Sequence, residues 1–583
     1  MMKKMQLTNI KFSENPNFYL SEDALIYPEE KMNQEKIIAP EFLNKFEEIK
    51  TFQKEVHKYY NLILPVFTEF MNQVHSEKET SIYWERITGF WLISIISNYL
   101  DKYKRLEIAF KKEDCLKTQS IAFRDFQTPE TIKEYFNILR GSSFFHLQQY
   151  STILEEFYKA KTEFLSKEAD FFIEESSQLD RTHKPKKSIK QKLREKFLSL
   201  LDCGYESKKT FYVSLFSNKD LFIIFLKSGF QYAPVLQDEI ITIKEDLNVS
   251  LREKIKQYST RNNLADAILH SSVQYFLPIE MFEGYLKISF HTSKLIDKIL
   301  PNSIFTGIGF MWSTQFAVWA AKCASKGTIL YGMQHGGTYG EVEILDGEFL
   351  ERKLTDHYIT WGWIEDEKTI PMPASRLLSK SLVKPLQVKN QILWVTTADS
   401  RFNYFVGQIG FGNRFLKYFQ HQQELYKLLS PKIQSIIKIR LYSYDFGWKM
   451  KQRWTDSFPR IEFADTRQNF IDQAAQSELV VIDHLGGTTF LELLTLNIPV
   501  VVIANADLFV IRKGAKSFYD LLEENGVIYK SNEKAAKALP KIIEDVASWW
   551  SEKERRQAIE NFKSNFALTS DKPLKTWFEF LKK

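Results

Sequence analysis

Cysteine is scarce in this chain of 583 residues, which has only Cys115, Cys203 and Cys323, and no two of them form a CxxC pair. This spacing argues against a zinc site, an iron–sulfur cluster or a disulfide framework. Long apolar runs are also missing, because no run reaches the length of a transmembrane helix and the N-terminus lacks the apolar stretch of a signal peptide. We therefore expect a cytoplasmic protein.

Charge of one sign is not in large excess. The net charge of +6 is mild for this length, so nucleic acid is not an expected partner. The basic residues do concentrate in segment 183–196, where seven of fourteen positions are Lys or Arg. Such a segment is either a solvated helix face or linker, or a site of attraction to anionic lipid or glycan at the inner face of the cytoplasmic membrane.

Several familiar catalytic signatures are absent. Trp312 stands where the third glycine of a dinucleotide fingerprint belongs, and Phe509 stands where a P-loop needs its first glycine. The chain has no GxSxG, HExxH or kinase motif, and no Asp-x-Asp after a strand that would hold a divalent ion against a diphosphate. We expect no metal ligands and no metal-dependent transfer.

The patterns that are present predict an α/β protein of two Rossmann-like halves. The first half, residues 1–384, contains a large helical insertion at about 41–200, and the second half is residues 385–583. Apolar runs at 210–216 and 221–226 have the composition of strands. Parallel strands with helices between them collect their loops at the carboxyl ends of the strands, where ligands bind.

The clearest unit spans residues 478–503. An apolar strand, Leu479 to Ile482, runs into a loop with two glycines and then into a helix, and Val500 to Ile503 forms the next strand. This βαβ unit is either an ordinary crossover or a phosphate site at a helix N-terminus. The candidate ligand-binding residues of the unit are Asp483, His484, Gly486, Gly487, Thr488, Thr489 and Glu492.

Two further sites follow predicted strands. Arg440 ends the strand that begins at Ile436, so its guanidinium is expected either to bind phosphate or carboxylate or to form an interstrand ion pair. His335 follows the strand that ends at Met333 and precedes two glycines, a position suited to a general base or to a capping histidine. Glu341 in the same loop is expected to orient His335, to act as the base, or to be a surface carboxylate.

Several motifs together resemble a family of transferases encoded in bacterial O-antigen and capsule gene clusters. They cover nearly the whole chain and include the segments 83–92, 331–341, 360–363, 440–448, 483–489 and 538–550. The resemblance implies a GT-B glycosyltransferase architecture, with a nucleotide-sugar donor in the C-terminal half and an acceptor in the N-terminal half. It also implies that no metal and no other cofactor is required.

The resemblance leaves the donor nucleotide open among CMP, UDP and GDP. CMP-sugar enzymes of this architecture usually carry His-Pro after the strand, whereas Leu441-Tyr442 follows Arg440 here. We expect transfer of a sugar to a lipid-linked or oligosaccharide acceptor of surface polysaccharide synthesis. A nucleotide-sugar epimerase, a polyol-phosphate transferase and a non-catalytic glycan-binding assembly protein remain alternatives.

Overall fold

The computed structural model describes residues 3–10, 16–25, 27–28, 33–40, 42–113, 116–164, 204–235, 240–378, 388–407, 413–504 and 509–582. The basic segment 183–196 and the predicted domain boundary at 384/385 lie outside the described residues, so both remain predictions.

The strands form three sheets in which every described strand pair is parallel. The strands of the first sheet are β1 (Lys3–Gln6), β2 (Phe18–Tyr19), β3 (Leu116–Ser120) and β4 (Thr162–Phe164). Those of the second are β5 (Lys209–Tyr212), β6 (Tyr232–Pro234), β7 (Ser303–Thr306), β8 (Ile329–Met333), β9 (His357–Thr360) and β10 (Thr369–Pro371). Those of the third are β11 (Val388–Val395), β12 (Ile437–Arg440), β13 (Glu462–Phe463), β14 (Ser477–Ile482), β15 (Val500–Ile503) and β16 (Ile528–Tyr529).

The sheet topology confirms the predicted fold class. The second sheet has the order β10-β9-β8-β7-β5-β6, and the third has the order β13-β12-β11-β14-β15-β16. Both are doubly wound six-stranded sheets, as two Rossmann-like domains require. The small first sheet, of order β2-β1-β3-β4, is an addition that the sequence patterns did not predict.

The helices of the first half are α1 (Phe46–His75), α2 (Ser81–Lys112), α3 (Ile132–Gly141), α4 (Ser143–Phe157), α5 (Asn218–Lys227), α6 (Val249–Glu253), α7 (Asn263–Ser271), α8 (Tyr285–Lys298), α9 (Gly309–Trp312), α10 (Thr314–Ser325) and α11 (Asp346–Leu354). Those that follow are α12 (Asn413–Leu428), α13 (Pro431–Gln434), α14 (Met450–Ser457), α15 (Phe470–Ala475), α16 (Thr488–Thr495), α17 (Lys513–Glu524), α18 (Asn532–Glu544), α19 (Val546–Ser551), α20 (Lys553–Phe566) and α21 (Pro573–Lys582). Across the described ranges, no helix combines the length and the hydropathy needed to cross a bilayer.

Helices α1 and α2 dominate the insertion and pack against each other, and α2 also packs against α10, beside the second sheet. Trp84 and Trp91 of α2 are completely buried, and one continuous apolar core joins the insertion to the second sheet. Helix α21 also returns to this half, since the Trp577 indole donates to the carbonyl of Pro373 at 2.9 Å and packs on Phe216. The insertion and the last helix therefore stabilise the N-terminal half.

The expectation of a strand at 221–226 is wrong, because these residues belong to α5. Ser217 caps this helix: its hydroxyl accepts from the amide of Asp220 at 3.2 Å and donates to the Asp220 carboxylate at 2.6 Å. A cap of this kind favours a helix despite the β-branched and aromatic residues that follow.

Candidate functional site

Two glycine loops, one from each half, meet at the carboxyl ends of β8 and β14. The amide of Gly337 donates to the Thr488 hydroxyl at 2.9 Å. A Cβ atom on Gly337 would collide with the backbone of Gly486 and Gly487, so only glycine permits this approach. The loops that the sequence marked as separate sites are thus parts of a single cleft.

The loop after β8 is fixed by Gln334. Its amide nitrogen donates to the carbonyl of Gly336 at 2.8 Å, and its amide oxygen accepts from the backbone of Trp361 at 2.8 Å and from the Trp363 indole at 2.9 Å. Gln334 is buried and couples the loop to the end of β9. The position of His335 is therefore set by a satisfied hydrogen-bond network.

His335 is held by Glu351, which lies on α11. Its Nε2 atom lies 2.9 Å from Glu351 Oε1 and 2.6 Å from the Tyr339 hydroxyl. The ionised carboxylate only accepts hydrogen bonds, so we place the imidazole proton on Nε2; this tautomer is inferred from the network. The lone pair is then on Nδ1, which has no hydrogen-bond partner among the described residues.

Glu351 also accepts hydrogen bonds from two tyrosines. The Tyr339 hydroxyl lies 2.9 Å from Oε1 and the Tyr358 hydroxyl lies 2.8 Å from Oε2. Burial and the Glu351 charge raise the pKa of both tyrosines well above the usual value, so both remain neutral donors. Sequence reasoning missed Glu351, because nothing local to α11 shows that its carboxylate turns toward a loop sixteen residues earlier.

His335 faces a cavity of about 400 Å³ between the two halves. Tyr339 and Glu351 line it from the same side, and Asp399 and Leu485 line it from the C-terminal half. The remaining wall is mainly apolar and aromatic, and includes Phe90, Trp312, Tyr404 and Phe405. A substrate beside His335 would therefore pack against flat apolar side chains.

Asp399 brings a second ionisable group to this cavity. It follows β11, and its Oδ1 accepts from the amide of Ser400 at 2.8 Å. Burial raises the pKa of Asp399 to about 7, against the opposing effects of that hydrogen bond and of the Arg140 charge. The sequence offered a signal for this residue, a carboxylate just after a predicted strand, but it was not among the predicted site residues.

Glu341 does not contact His335, contrary to one of its expected roles. Its side chain is completely buried, where Oε1 accepts from the Thr338 amide at 3.0 Å and Oε2 accepts from the Tyr519 hydroxyl of the C-terminal half. Its carbonyl also accepts from the Arg512 amide at 2.8 Å. Burial raises the pKa of Glu341 to about 7. Glu341 joins the halves, and Glu351 occupies the orienting position.

Asp483 is the centre of a buried network under the second glycine loop. Its Oδ2 accepts from the Trp394 indole at 2.7 Å and from the Gln422 amide at 2.6 Å, while Oδ1 accepts from the Tyr418 hydroxyl at 2.5 Å. His484 Nδ1 lies 3.3 Å from Oδ1, and His484 is itself buried. These contacts position the loop and leave the Asp483 carboxylate facing protein donors.

The N-terminus of α16 is the predicted phosphate site, and Gly337 of the other loop contacts it. Gly486 adopts a left-handed φ of +70°, and Gly487, at the N-cap, has no side chain to bond the first amides of the helix. Thr488 and Thr489 are partly exposed and begin the helix. The positive end of a helix dipole favours an anion such as phosphate, so phosphate binding by Thr488 and Thr489 stays a prediction.

Glu492 and Arg440 are engaged with protein groups. Glu492 Oε1 accepts from Nε of Arg376 at 3.0 Å, which ties α16 to the segment that leaves the first half. The Arg440 guanidinium donates to the carbonyls of Asp465, Thr466 and Gln468 and to the side chain of Gln473. Among the described residues these bonds take the place of the expected interstrand ion pair, because the 465–468 loop curls over the end of β12, while phosphate binding by Arg440 stays a prediction.

A second cavity, of about 430 Å³, opens beside that loop. It lies at the carboxyl ends of β11, β12 and β13, and its polar lining includes Thr396, Thr397, Tyr442, Tyr444 and Lys451. No described residues form a cluster of three or more His, Cys, Asp or Glu side chains with metal-site geometry.

Solved structures with similar chain traces are distant. S. aureus MnaA in complex with UDP is 12% identical, with a TM-score of 0.36 and coverage of 64% of this chain and 96% of that one. The UDP-N-acetylglucosamine 2-epimerase from Rickettsia bellii is 11% identical, with a TM-score of 0.33 and coverage of 64% and 97%. WaaG, a glycosyltransferase involved in lipopolysaccharide biosynthesis, is 13% identical, with a TM-score of 0.27 and coverage of 64% and 98%. At these scores the similarities carry no argument about function.

Family assignment rests on the sequence as a whole. No curated protein matches the chain. The model of the LIC12162 family of transferases, by contrast, matches residues 23–581, which include both glycine loops, His335 and Glu351. The chain therefore belongs to the LIC12162 transferase family.

Proposed function

We propose that this transferase is a cytoplasmic glycosyltransferase that moves a sugar from a nucleotide-sugar donor to an acceptor of surface polysaccharide synthesis, such as O-antigen or capsule. One observation carries the proposal: a histidine oriented by a buried carboxylate lines a cavity between the halves, and its loop contacts the N-terminus of α16 through Gly337. Under this proposal, proton acceptance and phosphate binding belong to two loops that touch each other. These are the two requirements of transfer from a sugar nucleotide.

The donor is assigned to the C-terminal half. Its phosphates would lie at the first amides of α16 and the hydroxyl of Thr489, where the helix dipole stabilises the charge of the leaving group without a metal ion. The nucleoside would occupy the cavity of about 430 Å³, where Tyr442 and Tyr444 offer rings for stacking. Arg440 would support this cavity by holding the 465–468 loop.

The acceptor is assigned to the cavity of about 400 Å³ beside His335. The acceptor hydroxyl attacks the anomeric carbon, the bond from that carbon to the phosphate oxygen breaks, and the hydroxyl proton passes to His335 Nδ1. Glu351 stabilises the imidazolium that forms, since its carboxylate faces Nε2. The aromatic lining suits the apolar faces of a sugar ring.

The proposal is tested by the variant His335→Ala, assayed with a panel of CMP, UDP and GDP sugars. Loss of a general base lowers turnover by about 10²–10⁴-fold, while stabilisation of the protein by the donor nucleotide should remain unchanged. The matched control is His291→Ala, because His291 is a partly exposed histidine on α8 that does not line the cavity beside His335. Wild-type turnover in His335→Ala would rule out the assigned base, and absence of stabilisation by any nucleotide would rule out the transferase.

A second candidate, a nucleotide-sugar epimerase, is favoured by Asp399. An epimerase moves a proton from one face of a sugar and returns it on the other, and His335 and Asp399 line the same cavity from opposite halves. The two functions differ in their need for an acceptor. Conversion of a nucleotide sugar to its epimer with no acceptor present would favour the second candidate.

A further inference from the structure

Arg140 brings a positive charge to the wall of the cavity beside His335. It is the penultimate residue of α3, it is partly buried, and no other arginine or lysine among the described residues lines this cavity. The carboxylates of the wall belong to Glu351 and Asp399, and most of the remaining wall is apolar. A guanidinium in such surroundings needs an anionic partner to offset the loss of its hydration.

The Arg140 guanidinium is held in place by three neighbours. Its Nε donates to the carbonyl of Phe136 at 3.1 Å, and Nη2 donates to Oδ1 of Asn137 at 3.1 Å. Its central carbon lies 5.4 Å from the centre of the Trp312 ring, which also lines the cavity. A guanidinium that is already oriented loses little conformational entropy when it binds a ligand.

The two hydrogen bonds of Arg140 leave most of its donors for a ligand. A guanidinium has five N–H groups, and these bonds use two of them. An arginine that only capped the last turn of its helix would need no further partner. Nη1, however, has no hydrogen-bond partner among the residues that the structure describes, and no described carboxylate forms an ion pair with this side chain.

Two other arginines of the same half-to-half interface are compensated within the protein. Arg352 of α11 lies 2.7 Å from Glu365 and 3.5 Å from Glu348. Arg512 lies 2.6 Å from Glu365 and 3.0 Å from Glu348. Neither belongs to the cavity wall. Of these three arginines, only Arg140, which lines the cavity, lacks a carboxylate partner within the described ranges.

The two carboxylates of the wall do not supply the missing counter-ion. Glu351 is bonded to His335. Asp399 Oδ1 accepts from the Ser400 amide at 2.8 Å. Burial raises the pKa of Asp399 to about 7, although the Arg140 charge opposes this rise, so about half of its carboxyl is neutral at pH 7. The charge of Arg140 is therefore left for a ligand.

The two cavities are neighbours at this place. Thr397 and Ala398 line the cavity of about 430 Å³, and the next residue, Asp399, lines the cavity of about 400 Å³. Tyr444 lines the larger cavity, and the Arg140 charge opposes the rise in its pKa that burial produces. A donor phosphate is thus the competing partner for Arg140, and the experiment below separates it from an acceptor.

We propose that Arg140 binds an anionic group, a carboxylate or a phosphate, of the acceptor that lies beside His335. The assignment rests on the proposed function, which gives this cavity to the acceptor and the N-terminus of α16 to the donor phosphates. A guanidinium donates parallel hydrogen bonds to two oxygens of such a group. The acceptor is thereby an acidic sugar or carries a phosphate, and a neutral glycan of the same shape binds more weakly.

The test compares three probes of the same shape: phenyl glucoside, which is neutral, its 6-phosphate, and phenyl glucuronide, which carries a carboxylate at the same carbon. Isothermal titration of the full chain measures their dissociation constants. The wild type should bind an anionic probe about tenfold or more tightly than the neutral one, as expected for a charged hydrogen bond. Preference for the glucuronide would indicate an acidic sugar, and preference for the 6-phosphate a phosphate-bearing acceptor.

Arg140→Gln should remove this preference and leave the affinity for phenyl glucoside unchanged. Arg140→Lys should retain part of the preference, because an ammonium keeps the charge but not the planar fork. Arg124→Gln is the matched control and should behave as the wild type, since Arg124 is an exposed arginine of the same insertion outside the cavity. Gly407→Phe should weaken binding of all three probes, because Gly407 lines the cavity and a Cβ there would meet open space.

Equal binding or no binding of the three probes by the wild type would overturn the proposal, as would an unchanged preference in Arg140→Gln. Weaker binding of phenyl glucoside with a lower unfolding temperature in that variant would overturn it in favour of a packing role in α3. Loss of stabilisation by nucleotide sugars in Arg140→Gln would assign Arg140 to the donor phosphates instead. The proposed function fails separately: no nucleotide would stabilise the wild type, whereas the anion preference and its loss in Arg140→Gln would remain.

Discussion

Each half of the molecule carries a buried carboxylate beside a histidine, yet the two pairs have different surroundings. Glu351 bonds His335, which lines a cavity, while Asp483 lies beside His484 in a packed network. Both carboxylates accept tyrosine hydroxyls. The two pairs thus have the same chemical groups, and only the His335 pair lies at a cavity, which is why the proposed function gives proton transfer to that pair.

The largest expected effect on this comparison of the two carboxylate–histidine pairs comes from Asp483→Ala. This change leaves the buried donors of Trp394, Tyr418 and Gln422 without their acceptor, so the free energy of unfolding should fall by about 3–5 kcal/mol. Urea denaturation measures the loss. The matched control is Asp520→Ala, which removes only surface ion pairs with Lys516 and Lys530 and should cost at most about 1 kcal/mol. Equal losses would show that the Asp483 network is not a structural centre.

Glu341 extends the comparison to a buried carboxylate with no histidine. Its pKa is raised to about 7, so the folded state binds a proton that the unfolded state releases near pH 4.5. Protonation of Glu341 therefore adds to the free energy of unfolding. This contribution is fully present below pH 4.5 and is lost as the pH rises through 7, by roughly 3 kcal/mol in total. Glu341→Gln has no carboxyl to titrate at this position. Its free energy of unfolding should therefore rise relative to that of the wild type as the pH increases from 4.5 to 7.

Denaturation midpoints measured from pH 4 to pH 8 test this expectation. Glu343→Gln is the control, because Glu343 is partly exposed and pairs with Lys50 at 3.1 Å. A difference between wild type and Glu341→Gln that does not change with pH would contradict the assignment.

Glu351→Gln tests the proposed proton acceptor, His335, with the smallest structural change. The amide still accepts from His335 but no longer stabilises a positive imidazole, so transfer should fall by about 10–100-fold with nucleotide binding retained. Tyr358→Phe is the control, since it removes one hydrogen bond to Glu351 and leaves His335 Nε2 in place. Similar rates in the two variants would assign Glu351 a role in folding alone.

Much of the sheet architecture follows from local sequence. The unit from β14 to β15 begins and ends close to the predicted residues, because apolar β-branched runs bounded by glycine and proline admit few alternatives. The predicted strand at 221–226 became α5, since the decisive signal was the capping pair Ser217 and Asp220 outside the apolar run.

The candidate site is less accessible to sequence reasoning. Sequence placed His335 and the α16 loop near their sheet edges, because each directly follows a strand. It did not reveal three hydrogen bonds: those of Glu351 with His335, of Tyr519 in the other half with Glu341, and of Arg440 with backbone carbonyls. These contacts depend on where α11, α17 and the 465–468 loop pack, and that placement is set by tertiary structure.

The close approach of Gly337 to Gly486 and Gly487 has a kinetic consequence. If the donor phosphates bind at α16, the touching loops would shield the activated sugar from water, and hydrolysis without an acceptor would be slow. The same contact would retain the spent nucleotide until the halves part. Release of the nucleotide would then limit turnover. A bulkier residue at position 337 would separate the loops, so the nucleotide would leave faster and the bound donor would hydrolyse faster.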